Sequence, residues 1–232
     1  MIKLKCSSTI KFAAFLMCIA ISACPAPIKT AVNVKGGDRL SKPSSGAIVF
    51  FPTHDDAATG KEVDFIRCLK KNLNKQFSKS VRIIDTGLFQ DQTFPWFEPQ
   101  YAPNTIDEMN TLLSQKMVRE RISSLGVQYL ITIASLSSDV NVKIPGIICG
   151  AGYGGAGCLG IYHDSKKTEV NVVIFDIIED VRAVTLSANT SGKSYGLAFV
   201  VPVVFSAYTE SAACKALSDK LAQLIIEVTE VK

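Results

Sequence analysis

The amino-acid sequence predicts an α/β domain with a mixed sheet, in which a parallel β-α-β-α-β start is followed by an antiparallel meander and a C-terminal helix packed on the sheet. Three observations support this fold class. In the first half of the chain, short apolar runs alternate with segments of helical periodicity. In the second half, apolar and alternating segments follow one another without room for a helix, which is typical of antiparallel strands. A stripe of apolar residues at helical spacing then ends the chain.

The first strand and the first helix are predicted from residues 47–77. Ala47-Ile48-Val49-Phe50-Phe51 is a continuous apolar run stopped by Pro52, which is typical of a central strand buried on both faces. Thr59-Gly60-Lys61-Glu62 fits a capping box, in which the hydroxyl and the carboxylate each accept a hydrogen bond from a free backbone amide. The helix that it starts places one apolar stripe inward, with Cys68 at its edge: Ile66, Leu69, Leu73 and Phe77.

Residues 81–84 predict a second short strand, and residues 87–103 predict an irregular loop rich in aromatic residues. We expect this loop to fold down on the core, and an exposed partner-binding surface is the alternative. The aromatic residues concerned are Phe89, Phe94, Trp96, Phe97 and Tyr101.

A second capping box, Thr105-Ile106-Asp107-Glu108, predicts a helix that ends by Gly126. Its expected inward residues are Ile106, Met109, Leu113 and Met117. Residues 127–134 predict the next strand, and its position directly after a helix indicates a parallel crossover.

The rest of the chain predicts the meander and the last helix. Residues 140–148 and 168–178 are expected to be antiparallel neighbours, and residues 181–187 are expected to pair back as a further strand. The terminal helix is marked by Cys214, Leu217, Leu221, Leu224 and Val228.

The N-terminus has the features of a secretory leader. Lys3, Lys5 and Lys11 precede or open an apolar run over residues 12–21 that is too short to span a bilayer. Ile21-Ser22-Ala23-Cys24 resembles the lipobox of bacterial lipoproteins, which implies cleavage after residue 23 and acylation of Cys24. An ordinary signal peptide is the alternative. Because Pro25 follows Cys24, the sorting rule of Gram-negative lipoproteins implies the outer membrane, with the domain facing the periplasm.

Maturation changes the charge and divides the chain. The formal net charge falls from +4 to +1 because Lys3, Lys5 and Lys11 leave with the leader. A nearly neutral domain gives no electrostatic reason to expect a nucleic-acid partner. Residues 24–46 are rich in Pro, Lys, Gly and Ser and predict a flexible tether, and residues 47–232 predict a single domain.

Four of the seven cysteines remain after the leader and Cys24 are set aside: Cys68, Cys149, Cys158 and Cys214. An even number in an oxidising compartment predicts two disulfides, for which three pairings exist. We predict Cys149–Cys158, because the glycines between them permit a sharp turn, and Cys68–Cys214 by elimination. The second bridge requires that the first and last helices cover the same sheet face. The alternative is that Cys68 and Cys214 are small buried side chains that never pair.

Several short motifs resemble chemical sites, but none has the sequence context that such a site needs. Gly150 to Gly155 satisfies Gly-x-Gly-x-x-Gly but leads toward a strand rather than a helix. Residues 191–196 echo the end of a P-loop and a nucleophile elbow, yet they lack the first glycine and a following histidine, so a hairpin turn is predicted there. The sequences His54-Asp55-Asp56 and His163-Asp164 contain metal-ligand residue types but lie in predicted loops. No catalytic, cofactor or metal site is therefore predicted.

Two segments, residues 145–161 and 197–207, are unusually apolar or glycine-rich for a domain surface. Neither fits a transmembrane helix. Packing over the domain's own core is the expected arrangement, and hairpins that touch the membrane are the alternative.

The order of elements resembles the periplasmic α/β domain shared by CsgG-type lipoproteins and the N-terminal domain of TolB. Leu125-Gly126-Val127-Gln128-Tyr129-Leu130-Ile131 is similar to the helix-to-strand passage of that group, and Val172-Val173-Ile174-Phe175-Asp176 to its strand ending in aspartate. The chain departs from the group in lacking a clear Thr-Gly turn after Asp176. The resemblance implies a non-enzymatic envelope lipoprotein, held in the bilayer by Cys24, that binds envelope proteins. A subunit of an oligomeric outer-membrane secretion pore and an envelope enzyme are the alternatives.

Overall fold

The computed structural model describes residues 28–36, 40, 46–52, 60–77, 81–152, 155–178, 182–199, 201–205 and 207–230. The predictions for the leader, Cys24, Thr59 and residues 54–56 lie outside these ranges.

Within the described ranges the chain forms seven strands and five helices. The strands are β1 Lys29–Lys35, β2 Ala47–Phe50, β3 Arg82–Ile84, β4 Val127–Gly152, β5 Gly155–Asp176, β6 Arg182–Phe199 and β7 Val201–Phe205. The helices are α1 Gly60–Gln76, α2 Thr86–Gln92, α3 Ile106–Ser114, α4 Lys116–Ser124 and α5 Thr209–Glu230. All strands belong to one sheet with the order β1-β6-β5-β4-β2-β3, in which β7 also pairs with β6. The predicted α/β fold class is confirmed.

The parallel half of the sheet follows the prediction. Strand β2 is parallel to both β3 and β4, with Ile48 opposite Ile83 on one side and Tyr129 on the other. All four residues of β2 are buried, as its continuous apolar run predicts.

The antiparallel half is longer than predicted. The two strands expected at residues 127–134 and 140–148 are one strand, β4, whose register with β5 shifts between Ile133 and Ser135 and between Lys143 and Gly146. Strand β6 continues through residues 191–196, where a hairpin turn was predicted. That prediction was wrong because Ser191 to Tyr195 pair directly with β5, so Gly192 lies within the ladder.

Strand β1 occupies part of the segment predicted to be a flexible tether. Lys29–Lys35 pairs antiparallel with β6, from Lys29 opposite Ser191 to Lys35 opposite Thr185. Six of its seven residues are exposed, so the strand contributes little apolar burial. Its formation depends on backbone hydrogen bonding to a partner distant in sequence, a signal that local composition does not contain.

Helices α1 and α5 cover one face of the sheet. The predicted stripe of α1 is buried at Ile66, Leu69, Leu73 and Phe77. The stripe of α5 is buried at Cys214, Leu217 and Leu221, and Leu224 packs partly buried against the same core. The predicted disulfide between Cys68 and Cys214 joins the two helices, with a Cα–Cα distance of 6.4 Å.

Helices α2, α3 and α4 cover the opposite face. Where an irregular loop was predicted, α2 begins after Asp85, whose carboxylate accepts hydrogen bonds from the amides of Gly87 and Leu88. The side chains of Phe89 and Phe97 are buried and pack edge-to-face, with ring centroids 4.9 Å apart. Trp96 is partly buried, while Phe94 and Tyr101 are exposed. The aromatic segment therefore folds onto the core at some positions and faces solvent at others.

The helix predicted after Thr105 is two helices. The Thr105 cap is confirmed, because its hydroxyl accepts from the Glu108 amide at 3.2 Å; the Glu108 carboxylate accepts at 2.8 Å from the amide of Asn104, one residue before the N-cap, rather than from that of Thr105. Gln115 is extended and breaks the chain into α3 and α4. The break changes the helical phase, so Met117, predicted to face inward, is 63% exposed, and Val118 and Ile122 are buried.

Candidate functional site

A groove lies between α1 and α5 on the described surface. It has a volume of about 640 Å³ and is lined by residues from both helices. A smaller recess of about 210 Å³ continues toward the N-terminal ends of the helices and shares Asp64, Cys68 and Ser211 with the first. The two recesses form one cleft that crosses the disulfide.

The disulfide lies at the wall of this cleft and is covered by an amide. The side-chain nitrogen of Asn72 lies 3.7 Å from Sγ of Cys68 and 3.6 Å from Sγ of Cys214. Cys214 is buried, whereas Cys68 is partly exposed. The bridge therefore fixes the width of the cleft, because it joins the two helices that form its sides.

The charges of the groove are mainly positive. Its lining contains Arg67, Lys71, Lys75 and Lys215, against Asp64 and Asp219. Both carboxylates already have partners, since Asp64 pairs with Arg67 and Asp219 accepts a hydrogen bond from Gln76 at 2.8 Å. Among the described residues, no ion pair is formed by Lys71, Lys75 or Lys215. Within the described part of the chain, these three cations are thus not neutralised by an ion pair and can meet an anionic ligand.

At the N-terminal end of the cleft, an ion pair ties α5 to the sheet. Lys166 on β5 donates to the Glu210 carboxylate at 3.1 Å. Partial burial works to raise the pKa of Glu210, but the hydrogen bond and the charge of Lys166 outweigh it, so the pKa lies below its ordinary value. Glu210 is therefore ionised at neutral pH, and its charge at this end of the cleft is paired with that of Lys166.

Strand pairing places the second predicted cysteine pair face to face. Cys149 lies directly opposite Cys158 in the β4–β5 ladder. Directly opposed residues of an antiparallel pair have Cα atoms about 4.5–5.5 Å apart, which lies within the range of a disulfide. The Cys149–Cys158 bridge stays a prediction, because the side chains of both residues lie outside the described part of the structure.

The other motifs weighed from the sequence lie in strands. Gly150 and Gly152 are at the end of β4 and Gly155 begins β5, so these glycines do not open a helix. His163 lies in β5 opposite Lys143, not in the loop that was predicted. The described residues contain no cluster of three or more potential metal ligands among His, Cys, Asp and Glu. Nor does any helix in the described ranges combine the length and hydropathy needed to cross a bilayer.

Sequence reasoning found the disulfide but missed the cationic groove beside it. Lys71 and Lys75 are four residues apart and therefore lie on the same side of α1. Once the helices of Cys68 and Cys214 are placed side by side, the residues near these cysteines must line the junction. The predicted bridge was the signal that could have identified them.

Comparison with known proteins gives no family assignment. No protein-family model matches the sequence, and no curated protein matches it. Among solved structures, the PelC dodecamer from Paraburkholderia phytofirmans has a TM-score of 0.39 and 11% identity, covering 84% of this chain and 97% of that chain. A neuraminyllactose-binding hemagglutinin homolog from Helicobacter pylori has a TM-score of 0.35 and 11% identity, covering 82% and 93%. The hypothetical protein CT253 from Chlamydia trachomatis has a TM-score of 0.28 and 11% identity, covering 78% and 94%. At these values the likenesses carry no argument about function.

Proposed function

We propose that the protein is a non-enzymatic lipoprotein of the bacterial outer membrane, anchored through acylated Cys24, whose α/β domain binds a protein partner in the periplasm. The proposal for the anchor rests on the lipobox-like sequence Ile21-Ser22-Ala23-Cys24. The proposal for partner binding rests on the groove between α1 and α5.

The observation that supports partner binding is a set of cations, without ion-pair partners among the described residues, in a recess of fixed width. Lys71, Lys75 and Lys215 line a groove of about 640 Å³, whose two sides are joined by the disulfide. A preformed recess limits the ordering cost of binding, and charge complementarity favours partners of opposite sign. The groove therefore fits an acidic segment of a partner protein.

The anchor is tested by replacing Cys24, the residue proposed to carry the lipid. Cys24→Ser removes the thiol that carries the diacylglycerol, so we expect metabolic labelling with a fatty-acid analogue to label the wild type and not the variant. Equal label on both proteins would contradict acylation at Cys24. Fractionation of the labelled protein with the inner membrane would contradict the proposed location.

The groove is tested with a matched pair of charge reversals on α5. Lys215 lines the groove, whereas Lys220 hydrogen-bonds to Gln223 and is not among the residues lining it. With a fluorescein-labelled glutamate-rich peptide as probe, Lys215→Glu should weaken binding by roughly three- to tenfold more than Lys220→Glu at low ionic strength. Equal losses of affinity in the two variants would mean that binding of the peptide depends only on the net charge of the protein and not on the groove.

A second candidate function, a subunit of an oligomeric pore, is favoured by the two hairpins at one end of the sheet. Residues 144–162 contain no Asp, Glu, Lys, Arg or His, and neither do residues 195–207. The first segment forms the paired ends of β4 and β5, and the second includes the β6–β7 hairpin. From residue 144 to Gly152, β4 has the roughly 9–11 residues that a strand needs to cross the hydrocarbon layer.

Particle mass separates the two candidates. A lipid-anchored binding domain should leave detergent-extracted membranes as a monomer or with its partner, whereas a pore subunit should leave as a ring-sized oligomer of this chain. Light scattering of the purified, detergent-solubilised protein measures the difference. A monomer would exclude the pore.

A further inference from the structure

The part of the sheet at which β1 begins carries three exposed apolar or aromatic side chains, and β4, β5 and β6 run on beyond it to the β4–β5 and β6–β7 hairpins. Ile28, Val140 and Tyr208 are 38%, 53% and 73% exposed, respectively. They come from three distant parts of the chain, so only the strand pairing brings them together.

The three residues surround Gly192. Val140 pairs with Lys166, which pairs in turn with Gly192, so these positions lie in one row and project from the same face. A Cβ added at Gly192 would lie 2.7 Å from Cβ of Ala207 and 3.4 Å from Cγ1 of Ile28. Ile28 and Ala207 therefore both pack over this glycine, and Tyr208 follows Ala207 directly.

This surface is held rigidly by polar contacts from the start of α5. The Ala207 amide donates to the Ser194 hydroxyl at 2.9 Å, and the hydroxyls of Thr209 and Thr168 are 2.7 Å apart and buried. Tyr208 is exposed between two residues that are themselves fixed to β5 and β6. These contacts fix the backbone on both sides of Tyr208, whose side chain is exposed.

The proposed anchor must lie close to this surface. Cys24 precedes Ile28 by four residues, and four residues span at most about 14 Å even when fully extended. An acyl group on Cys24 would therefore bring the bilayer within about 14 Å of Ile28. The predicted flexible tether of residues 24–46 cannot add to this reach, because β1 fixes the chain from Lys29 onward.

We propose that Ile28, Val140 and Tyr208 form a membrane-contacting surface that rests on the lipid head groups and sets the orientation of the domain. Tyrosine is suited to this position because its ring is apolar and its hydroxyl is polar. The proposal rests on the proposed acylation of Cys24.

The opposite end of the sheet supplies a control. Ile178 is 53% exposed and follows the last residue of β5, whereas Thr168, which contacts Thr209 beside Tyr208, lies ten residues earlier. At a rise of about 3.3 Å per residue, the two sites are about 33 Å apart. A bilayer that contacts the domain beside Tyr208, with the strands pointing away from the membrane, leaves Ile178 about 33 Å from that contact, whereas a sheet lying flat on the bilayer would bring both residues to it.

Tryptophan fluorescence in the acylated full chain tests the orientation. Trp96 is the single tryptophan of the chain, so Trp96→Phe gives a silent background. In that background, Tyr208→Trp and Ile178→Trp are each reconstituted into vesicles of phosphatidylethanolamine and phosphatidylglycerol, with or without brominated acyl chains. Bromine should lower the emission of Tyr208→Trp at least twofold and leave that of Ile178→Trp unchanged.

Equal quenching of the two reporters, or none in either, would overturn the proposal. Mass spectrometry of each sample establishes whether Cys24 carries lipid. An acylated chain without quenching at position 208 refutes the orientation alone, whereas a chain without lipid refutes the proposed anchor and this inference with it. If Tyr208→Trp does not keep the thermal unfolding midpoint of the background protein, Val140→Trp serves as the reporter for the same surface.

Discussion

On one face of the sheet two long helices lie side by side and are joined by a disulfide, whereas on the other face three short helices surround three phenylalanine rings. The first layer leaves a cationic groove between its helices. The second buries Phe51, Phe89 and Phe97, with ring centroids 4.9–6.4 Å apart. The comparison shows two ways to stabilise a layer of helices on the sheet. A disulfide can join two helices and still leave a cleft beside it, whereas aromatic packing requires the side chains to be in close contact.

The aromatic layer should depend most on single side chains. Phe97→Ala removes a fully buried ring from the cluster, so we expect the free energy of unfolding to fall by about 3–5 kcal/mol. Urea denaturation measures the loss. Phe94→Ala is the matched control, because Phe94 is exposed in the same segment and its truncation should change stability by less than about 0.5 kcal/mol. Similar losses in both variants would contradict the proposed role of the cluster.

The bridged layer should depend on its disulfide to a smaller extent. The double variant Cys68→Ala/Cys214→Ala opens a loop of sequence separation 146. We expect the free energy of unfolding to fall by about 2–4 kcal/mol, since the cross-link restricts the unfolded chain. Dithiothreitol should destabilise the wild type by more than the double variant, in which only the predicted Cys149–Cys158 bridge could still be reduced. Equal losses of stability on reduction in the two proteins would show that the Cys68–Cys214 bridge contributes nothing.

A helix cap in the aromatic layer should have a smaller effect again. Thr105→Ala removes the hydroxyl that accepts from the Glu108 amide and should lower the free energy of unfolding by about 1 kcal/mol. Thr111→Ala is the control, because its exposed hydroxyl donates to the Asp107 carbonyl within the same helix. If the two variants are equally stable, the cap contributes nothing specific.

The smallest effect is expected at Glu62, in the first turn of α1. Burial raises the pKa of Glu62, and one of its carboxylate oxygens is buried without a hydrogen-bond partner among the described residues. A raised pKa means that ionisation opposes folding, so the stability present below the ordinary pKa declines as pH rises through the folded-state pKa. Glu62→Gln should therefore raise the thermal unfolding midpoint slightly at pH 7 and not at pH 4. A difference that does not depend on pH would contradict this explanation.

The sequence was informative where the signal is local. The buried strand at Ile48 and the cap at Thr105 were predicted because each follows from a few neighbouring residues. The break at Gln115 was missed because glutamine is a good helix former and nothing nearby marks an interruption. Helix α2 was missed although Asp85 is a strong N-cap residue, because the aromatic residues after it obscured the helical period.

The candidate site was predictable only in part. Pairing Cys68 with Cys214 followed from two helical stripes and the number of cysteines, and the bridge joins α1 to α5. The cationic groove could not be predicted, because it depends on the distance between the two helices. That distance is set by side-chain packing, and the apolar periodicity of the sequence does not contain it. The exposed cluster at Tyr208 likewise depends on the long register between β5 and β6.

The position of β1 has a consequence for how the chain acquires its structure during synthesis. Lys29 is made early, yet its partner in the sheet is Ser191. The edge of the sheet therefore cannot close until most of the chain has emerged, and contacts of such long sequence separation slow folding. Until then, the edge of β6 that faces away from β5 has no neighbour along residues 185–191 and exposes a row of unpaired backbone groups. The first strand to appear is thus the last to be placed, and the interval before it pairs is when an incomplete sheet is most open to binding another chain.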